Sequence, residues 1–141
     1  MLLRLILETP DLLISHDTVN DWLYVSWQGS HNQESARACC RQIQAVFQQY
    51  PTSKILNDNS GVLNPNAQLT EWGLRWLQEL YALGLRYMAW VYAPNYPGRS
   101  PSDALVQYLD KPVVATFDDL ATAHDWLQRQ RLPSLGPGRW E

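Results

Sequence analysis

Gly84-Leu85-Arg86-Tyr87-Met88-Ala89-Trp90-Val91-Tyr92 carries the two signals from which the fold is built outward. Gly84 stands where a helix wants a left-handed closing residue, with Leu85 placed to fold back onto Leu80. Tyr87 to Tyr92 then runs apolar or aromatic without alternation, which predicts a central strand covered on both faces. Upstream, Leu69, Trp72, Trp76, Leu80 and Leu83 make one helical stripe, widened by Leu74, Leu77 and Tyr81. That predicts a helix over about Ala67 to Leu83, buried on more than one side.

Downstream, Pro94, Pro97 and Gly98 mark a loop. Ser100-Pro101-Ser102-Asp103 opens a short helix to about Leu109, with Ser100 as cap and Pro101 at the first helical position. Val113 to Thr116 is a further strand, and Asp118-Asp119 opens a last helix on which Leu120, Ala123, His124 and Leu127 share a face. Residues 132–141, with Pro133, Gly136, Pro137, Gly138 and Trp140, are expected to form a Pro/Gly-rich tail beyond the domain at 1–131.

On the other side, Lys54 to Asn57 is a short strand running into turn-rich Asp58-Asn59-Ser60-Gly61 and Asn64-Pro65-Asn66. Before it, Ala36, Cys39, Cys40, Ile43, Val46, Phe47 and Tyr50 line one face of a helix that Ser30 to Asn32 can cap and Pro51 stops. Leu12 to His16 and Trp22 to Trp27 form an antiparallel hairpin about Asp17 to Asp21, and Gln28-Gly29-Ser30 is expected to break its second strand. Met1 to Glu8 is compatible with an added edge strand or with a segment lying over the core. The order is ββαβαβαβα, an α/β fold bordering on α+β, with a mixed sheet, an N-terminal hairpin and helices packed against the sheet.

Composition bounds the function. The 141 residues suit one domain. A net charge of -3 supplies no general field for nucleic acid, so none is expected as a partner. Adjacent Cys39 and Cys40 cannot staple distant segments, Arg4 and Glu8 interrupt the opening apolar run, and nothing reaches membrane-span length. The expectation is a cytoplasmic protein without a signal peptide.

Lys54-Ile55-Leu56-Asn57-Asp58-Asn59, Trp72 with Trp76-Leu77, Gly84 to Trp90, and Thr116-Phe117-Asp118-Asp119 with Ala123 and Trp126-Leu127 together resemble the STAS fold. More closely, it resembles small stand-alone bacterial STAS/SEC14-like (SpoIIAA-like) proteins, over about Asp11 to Arg131. The resemblance implies the fold, while the lack of a catalytic constellation in a Trp-rich, well-patterned α/β sequence points to a non-catalytic regulatory or binding module. In the regulators a serine within an Asp-Ser-Ser-Gly turn is phosphorylated. Asp58-Asn59-Ser60-Gly61 matches that turn with Asn59 in place of the first serine, making Ser60 the implied phosphosite.

Candidates for chemistry are few. Asn57, Asp58 and Asn59 follow a strand at the sheet end where α/β ligand sites gather, so Asp58 can orient a polar group, act as a base or simply cap loop amides. His16, His31 and His124 fall on different elements, and no cofactor or metal is expected. His16-Asp17 resembles the metal-binding pair of some phosphohydrolases, but the other ligands are missing. Cys39 and Cys40 read as small core hydrophobes. Trp22, Trp27, Trp72, Trp76, Trp90 and Tyr92 belong to elements that meet around the sheet, where they pack the core or wall an aromatic or lipid-like ligand.

The expected function is thus a binding or regulatory module acting through protein contact, a homodimer included, or through an apolar ligand. The alternative is a carrier or small enzyme using Asp58 in a pocket walled by Trp72, Trp76, Trp90 and Tyr92.

Overall fold

The computed structural model describes residues 1–65 and 67–132. Asn66 and most of the expected tail, with Trp140, lie outside the described residues. The fold is α/β: six strands in sequential order, β1-β2-β3-β4-β5-β6, with four helices. The strands are β1 (Leu3–Glu8), β2 (Leu12–Asp17), β3 (Trp22–His31), β4 (Lys54–Pro65), β5 (Tyr87–Val91) and β6 (Val113–Phe117). The helices are α1 (Gln33–Gln49), α2 (Glu71–Ala82), α3 (Arg99–Val106) and α4 (Leu120–Arg129). β1, β2 and β3 pair antiparallel, and β3 through β6 run parallel.

The opening segment is a sixth strand at the sheet edge, so the order is βββαβαβαβα. Arg4 and Glu8 interrupt its apolar run, and Leu3 and Leu5 remain exposed. β5 is one strand in from the other edge rather than central, yet it is covered on both sides. Met88 joins the cluster of α1 and α2 residues, while Ala89 and Val91 join that of α4 residues Ala123 and Leu127. Parallel neighbours in sequential order, joined by right-handed crossovers, send their connecting helices to one face. Among the described residues α4 covers the other.

Local signals act where a specific bond supports them. Gly84 has φ +123°, its N–H donates to Tyr81 O at 3.0 Å, and Leu85 N–H donates to Leu80 O at 3.0 Å. These are the paired bonds of a Schellman closure. Asn32 caps α1 by accepting from Ser35 N–H, and Asp119 caps α4 by accepting from Thr122 N–H.

Three expectations give way. Gln28-Gly29-Ser30 does not end β3: Gly29 at φ +76° lets the strand bulge and continue. Nor is Asp58 to Gly61 a turn. β4 runs on to Pro65 because β3 pairs with it as Gln28↔Gly61, Gly29↔Val62 and His31↔Pro65. Finally, α3 begins at Arg99 after Gly98, without a side-chain cap, so Ser100 is not its cap. Pro101 then falls in the first turn, where the missing N–H costs nothing.

Asp17 closes the β2–β3 hairpin. It is fully buried and accepts from Asn20 Nδ2 at 2.8 Å and from Val19 and Asn20 N–H at 3.0 Å. Burial alone would raise its carboxyl pKa, but these bonds outweigh burial and hold it below the ordinary value. The folded chain therefore takes up this proton less readily than the unfolded one. The resulting stabilisation is complete above the unfolded value of about 4 and is lost as pH falls through the lowered folded value. Asp17→Asn is expected to cost about 1–3 kcal/mol at neutral pH and much less in acid. Urea melts of both proteins at pH 7 and pH 3 check this, since a gap that does not narrow in acid contradicts it.

Candidate functional site

Alternation along β4 sorts the candidate residues. Ile55, Asn57 and Asn59 point toward α1 and α2, whereas Leu56 and Asp58 point to the opposite face. Asn57 and Asn59 line a cavity of about 100 Å³ between β3, β4, β5 and the helices α1 and α2. Trp72, Trp76, Trp90 and Tyr92 line it too, so six of the expected residues share one wall. Asp58 is not among them. It is 4% exposed, and its carboxylate accepts from the Tyr24 hydroxyl at 2.6 Å and from Ser60 N–H at 2.9 Å. A pocket that combines Asp58 with Trp72 and Trp90 is therefore ruled out by the strand's own period.

Most polar groups on the wall have partners. The Trp27 indole N–H donates to Asn57 Oδ1 at 2.7 Å, and that of Trp76 to the Cys40 carbonyl at 2.9 Å. Tyr92 and Tyr96 present their rings and send their hydroxyls to Asp103 at 2.7 Å and the Ala67 carbonyl at 2.6 Å. Burial, and then the bond to Asp103, push the Tyr92 phenol well above its ordinary range. His31 contacts the Gln28 carbonyl at 2.7 Å and Ser35 Oγ at 3.1 Å.

Two buried atoms have none: Trp90 Nε1 and Asn59 Oδ1. One is a donor and the other an acceptor, and both residues belong to this cavity. The indole of Trp22 is likewise unpartnered, but on the α4 face. No family model matches the chain, and no curated protein matches it either. The site's chemistry must therefore be argued from its geometry.

That geometry offers little to a nucleophile or a metal. Burial pushes the Cys39 thiol up to about 11 and the Cys40 thiol higher still. His16 meets Asp21 at 2.8 Å, and His124 packs edge-on against Trp22, both away from His31. Among the described residues no group of three or more His, Cys, Asp and Glu side chains gathers at ligand spacing. No helix of the described residues is long and apolar enough to cross a membrane. Ser60 is exposed on β4, separated from α2 by 61–70, so a phosphate there would stand beside the Asp58 carboxylate rather than at a helix start.

The sequence reading missed Val62, Tyr96 and Arg37 on the wall. Val62 was hidden by treating its segment as a turn. Arg37 directly follows Ala36 at the margin of the α1 stripe, and that position was its only signal.

Proposed function

We propose that this chain is a non-catalytic binding module whose ligand is a small aromatic molecule held between the sheet and helices α1 and α2. The observation that carries the reading is the pair of orphaned atoms, Trp90 Nε1 and Asn59 Oδ1, on a largely apolar wall. Each buried polar group without a partner costs roughly 1–3 kcal/mol, and folded proteins keep few of them. Both atoms are covered as the side chains stand, so a ligand presenting one acceptor and one donor would satisfy them after a small side-chain shift that uncovers them. A space of about 100 Å³ is on the scale of one aromatic ring. The regulatory, STAS-like side of the reading rests on the residue resemblance and is in keeping with the mixed sheet.

The probe for this reading is p-cresol, a ring with one hydroxyl that both donates and accepts. Titrated into the labelled protein, it is expected to shift the Trp90 indole N–H resonance saturably, with a Kd of roughly 0.1–1 mM. The Trp126 resonance, from the other face of the sheet, should stay still, and Trp90→Phe should identify the moving peak. An unsaturable shift, or an equal one at Trp126, removes the proposal.

Contact with a protein partner, a second copy included, is a second reading. It is favoured by β1, a free sheet edge whose Leu3 and Leu5 are 43% and 54% exposed.

A further inference from the structure

The geometry points to a monoanionic ligand for this cavity: a hydroxylated aromatic carboxylate, its ring inside and its carboxylate at the mouth against Arg37. This rests on the reading of the cavity as a ligand site and adds the ligand's charge and direction of entry.

Among the described residues the wall carries one formally charged side chain, Arg37. Of those lining residues only Arg37 and Gln68 are exposed, so they mark the mouth. The interior is therefore neutral and its opening is cationic. Arg41, which shares Trp72 with Arg37, lines a separate polar cleft together with Glu79. The guanidinium carbons of Arg37 and Arg41 lie 5.3 and 5.7 Å from the centre of the Trp72 ring. Arg75 lines the polar cleft on the far side of Trp72 and Trp76.

Within the described residues none of these three arginines has a carboxylate within 4.0 Å, although α1 and α2 also carry Glu34, Glu71 and Glu79. Arg99 and Arg129, by contrast, are paired. A carboxylate matches the planar fork of arginine. At the inner end, a phenolic hydroxyl is the group that would partner Trp90 Nε1–H or Asn59 Oδ1 once a small side-chain shift uncovers them.

The test is calorimetric titration of the whole chain with 4-hydroxyphenylacetate and with p-cresol, which share a ring and hydroxyl and differ in the carboxylate. The acid is expected to bind about tenfold more tightly or better, with the advantage shrinking in high salt. In Arg37→Gln the ratio of the two affinities should fall toward one. If p-cresol binds and the acid binds no better, the charge assignment is wrong and the ligand site stands. If neither binds, both fall. An acid advantage that survives Arg37→Gln overturns the role given to Arg37.

Discussion

Trp76→Ala is expected to lower the unfolding free energy by about 3–5 kcal/mol, the cost of deleting a large buried aromatic side chain. Trp76 is 7% exposed on α2, and its indole N–H reaches across to the Cys40 carbonyl of α1. It also divides the cavity from the polar cleft of Arg41, Gln44, Arg75 and Glu79. Removing it joins the two spaces and leaves that carbonyl without its side-chain donor. Trp76→Phe keeps most of the apolar contact and should cost about 1–2 kcal/mol. Urea denaturation of the three proteins measures both values. A loss below about 1 kcal/mol for the alanine variant would show that the helices close over the gap.

Asp58→Ala should be the next most damaging change, at roughly 2–4 kcal/mol, because it leaves the Tyr24 hydroxyl and Ser60 N–H without their shared acceptor. Burial and that carboxylate already push the Tyr24 phenol far above its usual range. Asp58→Asn retains an acceptor and should cost about half as much. Neither variant should change p-cresol affinity, since Asp58 faces away from the cavity. Denaturation and the indole titration, run on the same samples, separate the two claims. Loss of p-cresol binding in a folded Asp58→Asn protein would return this carboxylate to the ligand site.

What could be read without coordinates follows from how local each determinant is. The α2 stripe from Trp72 on, its Gly84 closure and the Asn32 and Asp119 caps are set by residues a few positions apart and are where the periodicity places them, although α2 starts at Glu71 rather than near Ala67 and leaves Leu69 before it. β4 beyond Asn57 is the opposite case. Asp58, Asn59, Gly61 and Pro65 carry turn chemistry, but partners more than 30 positions away keep the segment extended. Once that segment is a strand, the separation of Asp58 from Asn57 and Asn59 follows from alternation alone. The Trp27–Asn57 bond and the orphaned state of Trp90 depend on how sheet and helices meet, and no local spacing encodes them.

The cavity wall draws on residues from Trp27 to Tyr96, and so on three strands and two helices that become neighbours only in the finished fold. Its occupant would therefore act as a clamp on the whole domain rather than on one loop. At a free concentration a hundredfold above its Kd, such a ligand adds about 2.7 kcal/mol to global stability. The abundance of the folded chain in a cell would then track the supply of that small molecule, with no moving part required.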